Sequence, residues 1–358
     1  MVGSRRGGRA GLQGSAAQLV CVALSPSIDV TYIVPRLRPG TIHRPQHVYR
    51  VPGGKGFNVA RAAQTLGADV VATGVLGGDS GAWMVAMLGR AGIRIAPVPG
   101  AQPTRTCVSI ADQASGTVTE MYEPAPLITP RAWSTLLATV VRLCDEHPSW
   151  VSLSGSLPPG PVPEALADLV AAAKNAGAKV AVDTHSTALA AAVGAGADLV
   201  KVNVQEAAAL LGSGHGTGYD DADAEDGPAP LPRPSLGAGD PVVLARGLLG
   251  VSPATSLAIV TAGVEGAVAV SRDGWAVRAR LDTRGDYPVG SGDSFLGGLL
   301  AALSTAPDDL PAALRQATAA GAANALTPGA GLLDAASARE LAARVDLESV
   351  GAPTDPAR

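Results

Sequence analysis

The sequence predicts an α/β protein: a mostly parallel sheet covered on both faces, with a small second β-layer. Two observations predict it. Short, near-continuously apolar β-branched runs alternate with Ala- and Leu-rich stretches of helical character, as in parallel sheets buried on both sides. Two other segments, DVTYIVPRLRPGTIHRPQHVYRV (29–51) and TRTCVSIADQASGTVTEMY (104–122), alternate apolar and polar residues instead. That period of two is the mark of half-exposed antiparallel strands, too polar for a central sheet, and it predicts a lid.

In chain order, residues 1–17 read as a flexible tail and Gln18–Leu24 as the first strand. Arg5 and Arg6 precede an apolar run, but Leu24 leads into SPSIDV and not into a small-residue cleavage site, so a signal peptide is not expected. DVVATGV predicts a strand, GAWMVAMLGRAG a helix, WVSLSG a strand and PVPEALADLVAAAKNAG a helix. KVAVD, LVKVN, SLAIVTAG and VEGAVAVSR follow as strands, and DSFLGGLLAAL as a helix. Residues 212–240, rich in Gly, Pro and Asp, predict a surface loop or disorder. The predicted domain spans 18–345, with a C-terminal tail at 346–358.

Composition narrows the function. Apolar residues make up 47% and aromatics only 3%, so the core must be built from Ala, Val and Leu. A net charge of −4 without a basic block gives no footprint for nucleic acid. No apolar run reaches the roughly 18–20 residues that cross a bilayer. Cys21, Cys107 and Cys144 are three, far apart and without metal-ligand spacing, which suits a reducing, cytoplasmic setting.

Two Gly-x-Gly-Asp turns precede apolar helical stretches: Gly290–Asp293 and Gly237–Asp240. Free amides at a helix start, together with the helix dipole, make an anion site. Gly290, Ser291, Gly292 and Asp293 meet that need, and Gly297 and Gly298 let the helix that follows pack closely. The other turn does not: Pro241 removes a donor, and Asp240 before Pro241 reads as an ordinary N-cap with Pro at N1. A second motif, GGKGFN, holds Gly53, Gly54, Lys55 and Asn58. Paired glycines let a ligand touch backbone, and Asn58 can bond hydroxyls. A plain tight turn before a helix is the alternative. Neither motif is a GxxxxGK[ST] loop, and GGKGFN lacks the GxGxxG register.

With both motifs in view the chain resembles the ribokinase/PfkB family of sugar kinases. The nearer likeness is to its hexose-phosphate branch, which includes 1-phosphofructokinase and tagatose-6-phosphate kinase. The likeness runs from about Leu19 to Leu333 through ordered blocks: SPSID, GGKGFNVA, TRT, TEMYEPAP, SGSLPPG, VDTHSTAL, KVNVQE, VTAGVEGA and GSGDSF. It implies a three-layer αβα ribokinase-like (Rossmann-like) fold with a small β-sheet lid, and a homodimer through that lid.

The resemblance also implies roles. Asp293 would be the base that takes the sugar hydroxyl proton, with the amides of Gly290, Ser291 and Gly292 facing the migrating phosphoryl group. Asp29 would bind sugar hydroxyls, and Arg105 would hold the phosphate already on the sugar. On residue type alone Asp29 could be a turn residue and Arg105 a solvated lid charge. Lys55 would stand near the same substrate. Asn203 and Glu206 would organise Mg²⁺ through water, with Lys201 approaching the ATP phosphates. Thr261, Gly263 and Gly266 match the nucleotide loop, and Asn324 would stand near adenine. Three positions depart from the family pattern: Ser291 replaces Ala, Val202 replaces Pro, and Ala125 replaces Gly.

The implied reaction is ATP-dependent phosphorylation of a ketohexose phosphate, fructose 1-phosphate to fructose 1,6-bisphosphate first. Tagatose 6-phosphate, fructose 6-phosphate and free sugars are the alternatives, and K⁺ is a further candidate cofactor. From another class comes a catalytically inactive sugar-phosphate binding protein, which an intact Asp293, Asn203 and Glu206 argue against.

Overall fold

A computed structural model describes residues 19–212 and 239–350. The N-terminal tail expected at 1–17 and nearly all of the expected 212–240 loop lie outside the described residues. The chain begins with β1 (Leu19–Ala23) and passes into β2 (Ser27–Val34) and β3 (His47–Gly53). Next come α1 (Lys55–Thr65), β4 (Val70–Leu76), α2 (Gly78–Arg90) and β5 (Arg94–Pro99), then β6 (Arg105–Asp112) and β7 (Thr117–Tyr122). Strand–helix alternation resumes with α3 (Pro130–Cys144), β8 (Trp150–Ser154), α4 (Glu164–Asn175), β9 (Lys179–Asp183), α5 (Ser186–Gly194), β10 (Leu199–Asn203) and α6 (Val204–Gly212). After α7 (Pro241–Val251) come β11 (Leu257–Thr261), β12 (Ala267–Ser271) and β13 (Ala276–Arg280). The chain closes with α8 (Ser291–Thr305), α9 (Leu310–Ala325), α10 (Ala335–Ala342) and β14 (Asp346–Ser349).

Ten strands form the main sheet in the order β14-β13-β12-β11-β10-β9-β8-β1-β4-β5, parallel from β11 to β5 and antiparallel from β11 to β14. Alternation along β1 shows how the faces divide. Val20, Val22 and Leu24 pack into the apolar layer beneath α3, α4, α5 and α7. Leu19, Cys21 and Ala23 pack into the layer beneath α1, α2, α8, α9 and α10. Both layers are mainly Ala, Val and Leu, as the composition required.

Two expectations need correction. The lid is a four-stranded sheet, β3-β2-β6-β7, but β2 and β6 pair in parallel, Ser27 opposite Arg105 and Asp29 opposite Cys107. Alternation reports one exposed face and carries no information on strand direction. Asp346–Ser349, expected in the C-terminal tail, instead pair with β13 as an edge strand. Their polarity suits an edge, where one side of the ladder meets water.

The helix starts follow the local chemistry. Asp240 caps α7 through Val242 N–H at 2.9 Å, with Pro241 in the first turn, as the sequence predicts. At Gly297 a Cβ would come within 2.7 Å of Val59 O on α1. At Gly298 one would come within 2.8 Å of the Ala320 Cβ on α9. The glycine pair is therefore what lets α8 lie against both neighbours.

Candidate active site

The site forms where the lid meets the C-terminal ends of β1, β8, β9 and β10, the end at which open α/β sheets bind ligands. Asp29 projects from β2 and is half-buried. Ser27 Oγ donates to its Oδ1 at 2.6 Å, and the Gly54 amide approaches Oδ2 at 3.4 Å. Burial pushes the Asp29 carboxyl up, and the Ser27 hydroxyl, the Arg61 guanidinium and the Gly54 amide pull the other way. A Cβ at Gly53 would collide with that carboxyl group, which explains a glycine there.

Gly54 has φ +83° and a Cβ on it would meet Ser25 O at 2.7 Å. The turn thus seats the start of α1 against the end of β1. From α1, Lys55 Nζ reaches Asp183 Oδ1 at 3.0 Å and Glu206 Oε1 at 3.5 Å. Asp183 is fully buried and also receives Lys201 Nζ on Oδ2 at 2.6 Å. Burial alone would raise the Asp183 pKa; the two ammonium groups outweigh it and hold the carboxyl below its ordinary value. Burial would likewise lower the Lys55 pKa, and Asp183, Glu206 and Asp293 together raise it. Lys55, expected beside the sugar, is therefore turned toward the Asn203–Glu206 side of the site.

Asn203 and Glu206 form a reciprocal capping box at the start of α6: Asn203 N–H donates to Glu206 Oε2, and Glu206 N–H to Asn203 Oδ1, both at 2.8 Å. Their spacing thus has a structural role besides any ligand role, and Glu206 Oε1 is the oxygen that faces Lys55. Thr261 stands beside Asn203 in register and bonds Val202 O at 3.3 Å. Gly263 (φ +57°) and Gly266 (φ +91°) close the β11–β12 turn, and at Gly266 a Cβ would strike Ala279 O.

At α8, Gly290 takes the left-handed conformation (φ +82°) and leaves no room for a Cβ beside Ala330 and Gly331. The Ser291 amide is donated to Pro288 O at 3.1 Å, so of the three expected amides this one is engaged within the turn. Gly292 and Asp293, in the first turn, have no intrahelical acceptor four residues back. Lys201 is the group that approaches here: a Cβ on Gly292 would lie 2.9 Å from its Nζ. Asp293 is 7% exposed, and Asn58 Nδ2 donates to its Oδ2 at 2.9 Å. Burial and the nearby Asp183 charge push its pKa up to about 7, against the pull of Lys55, Lys201 and Asn58.

Arg105 starts β6 on the same lid face as Asp29, two residues off its register. Its Nη1 donates to Glu123 O at 3.1 Å, and its Nε is buried with no partner among the described residues. Asn324 is a correction. It is fully buried, with Nδ2 donating to Val289 O at 2.9 Å and Oδ1 accepting from Ser294 Oγ and Gly331 N–H. It braces the Gly290 turn and has no free edge for an adenine. A cavity of about 320 Å³ lined by Ile28, Val30, Tyr32, Arg50, Trp83 and Thr106 lies on the lid face opposite Asp29, away from this chemistry.

Two charged residues were not singled out in the sequence: Asp183, between the two lysines, and Arg61, buried beside Asn58. The signal for Asp183 was present, since an acid ending the apolar run KVAVD sits at the ligand end of a strand. Arg61 lies three residues after Asn58, on the same helix face.

A buried carboxylate at a helix start, an ammonium against that turn and a polar lid above define an enzyme that moves a phosphoryl group to an alcohol. Residues 16–336 match the pfkB family of carbohydrate kinases, and the chain belongs to that family. It is 32% identical to a 1-phosphofructokinase of Xanthomonas campestris over 331 residues, 90% of this chain and 97% of that protein. It is 35% identical to a 1-phosphofructokinase of Rhodobacter capsulatus over 174 residues, 48% of this chain and 54% of that protein. Phosphofructokinase-2 of Escherichia coli, solved in complex with potassium, superposes with a TM-score of 0.76 at 27% identity, covering 91% of this chain and 98% of that one. The protein is a phosphotransferase acting on a sugar hydroxyl, a hexose-phosphate kinase with ATP as donor. Among the described residues no helix is long and apolar enough to cross a membrane.

Proposed function

We propose that this kinase phosphorylates fructose 1-phosphate at its free primary hydroxyl, giving fructose 1,6-bisphosphate and ADP. The observation that carries the reading is Asp293, held by Asn58 at the start of α8 with Lys201 against the same turn. Asp293 accepts the hydroxyl proton as the sugar oxygen attacks the γ-phosphorus in line. The bond from that phosphorus to the β-bridging oxygen breaks, and ADP leaves with its electron pair. Lys201 and the first-turn amides of α8 face the charge that develops on the phosphoryl oxygens. Asp29 orients the sugar hydroxyls, and Arg105 receives the phosphate the sugar already carries.

Mg²⁺ would neutralise charge on the nucleotide phosphates. Glu206, assisted by Asn203, would hold it through water. Among the described residues no three His, Cys, Asp or Glu side chains converge to bind a metal directly, so the donor set fits an ion carried mainly by the nucleotide. The reading includes activation by K⁺, tested by replacing KCl with NaCl. It also includes a cytoplasmic setting and a homodimer through the lid, whose outward face presents the part-exposed Tyr32, Val108 and Ile110 with an exposed Met121.

ATP turnover measured across fructose 1-phosphate, fructose 6-phosphate, tagatose 6-phosphate and free fructose tests the substrate. The expected result is the highest kcat/KM for fructose 1-phosphate, with labelled phosphate located at carbon 6. A higher kcat/KM for any other sugar overturns the assignment.

A further inference from the structure

Arg61 is 7% exposed and rises from α1 one turn after Asn58. Its Nη1 donates to Asn58 Oδ1 at 3.2 Å and to Ala330 O at 2.7 Å, and its Nη2 donates to Pro52 O. Each acceptor belongs to a different wall of the site. Pro52 precedes Gly53, which is packed on the Asp29 carboxyl group. Ala330 and Gly331 press on Gly290, the residue that shapes the anion turn. Asn58 bonds the Asp293 carboxylate. The loop is fitted around the guanidinium: a Cβ on Gly331 would lie 2.9 Å from Arg61 Nη1 and 2.8 Å from Asn58 Cα.

The direction of the Asn58 amide follows from donor chemistry. A guanidinium has only donors, so the carbonyl oxygen of Asn58 must face Arg61 and its NH₂ must face Asp293. Without Arg61 that amide could turn over and present its oxygen to a carboxylate, which would repel the ionised base.

The geometry points to Arg61 as a positioning residue for phosphoryl transfer: it fixes the Asn58 amide toward the base and ties the sugar-side turn, the base and the loop behind Gly290 into one unit. This rests on Asp293 being the base. The charge of Arg61 acts in the same sense as its geometry. Asp293 is faced by Asp183 from β9, Lys55 from α1 and Lys201 from β10, and the Arg61 guanidinium is a further cation within range of both Asp293 and Asp29. Burial lowers the Arg61 pKa to about 10, against the pull of the two carboxylates, so it is cationic throughout the working range.

The test compares Arg61→Met, Arg61→Lys, Asn58→Ala and the Asn58→Ala/Arg61→Met double variant in the full chain. Turnover is followed with MgATP and fructose 1-phosphate, and the Asp293 carboxyl carbon is titrated by NMR in the unliganded protein. For Arg61→Met, kcat should fall roughly 10–100-fold with KM for ATP little changed. The acid limb and the NMR titration should both move up by about one pH unit. The double variant should lose less than the product of the two single losses, because both changes remove the Asn58–Arg61 contact; any loss beyond Asn58→Ala reports the Pro52 and Ala330 bonds. Arg61→Lys keeps the charge but cannot serve all three acceptors, so its titration should stay near wild type while kcat falls. An unmoved titration in Arg61→Met, rate losses that multiply in the double variant, or a wild-type kcat in Arg61→Lys overturns the assignment. Should Arg61→Met not fold, the Arg61→Lys comparison decides alone. If Asp293→Asn itself turns over normally, it is the base assignment that fails; a dead Asp293→Asn beside an unmoved Arg61→Met titration fails the Arg61 assignment only.

Discussion

Asp293 carries two opposite demands. As the proposed base it must be ionised at working pH, yet burial and Asp183 favour its neutral form. Activity should therefore rise with pH through an acid limb near 7, read from kcat/KM of the free enzyme. Asp293→Asn should lower kcat by roughly 10²–10⁴-fold while ATP still binds; near-normal turnover would remove Asp293 from the mechanism. The same group has a stability signature. Its folded pKa of about 7 lies above the unfolded value near 4, so the native state holds the extra proton between those limits. Stability from this group is full below about pH 4 and is lost as pH rises to about 7. Melting temperatures of wild type and Asp293→Asn across that window should diverge, the variant losing less; parallel curves would contradict the raised pKa. Arg105→Ala should raise KM for the sugar phosphate at least tenfold more than KM for ATP, and equal effects on both would show the arginine serves neither specifically.

At the scale of elements, glycines do the fitting. Gly297→Val places two methyl groups and a Cβ against Val59 O and Ala62, and overpacking of this kind costs about 1–3 kcal/mol. Urea unfolding should show that loss, with α1 and α8 pushed apart; an unchanged midpoint would mean the helices have slack. How far the site could be read in advance follows from the same residues. The α8 turn, the Asp240 cap and the apolar strands were legible because each is set by contacts within a few residues. The parallel pairing of β2 with β6 was not, since Asp29 and its register partner Cys107 lie 78 positions apart in the sequence, and period alone carries no direction. Asn324 was misread for a related reason. A buried amide and a ligand-binding amide look alike in a chain, and only the Val289, Ser294 and Gly331 contacts tell them apart. Arg61 escaped because its three acceptors come from β3, α1 and the loop at 330, which only the fold brings together.

The lid governs the molecule as a whole. Its inner face carries Asp29 and Arg105, and its outward face sets the part-exposed Tyr32 beside Ile110 and Val108 beside an exposed Met121. Covering that face with a second copy removes apolar area from water and leaves the inner face free for sugar. Val108→Glu should convert a dimer into monomers by light scattering; a wild type that is already monomeric, or a dimeric variant, would rule out lid pairing.

The bond from Asn58 to Asp293 joins positions 235 residues apart. A nascent chain emerging from the ribosome would carry the Gly53–Gly54 turn, both lysines and Asp183 long before the proposed base exists. Phosphoryl transfer would start only once α8 has been made and docked on α1, so an incomplete or clipped product stays silent and does not waste ATP.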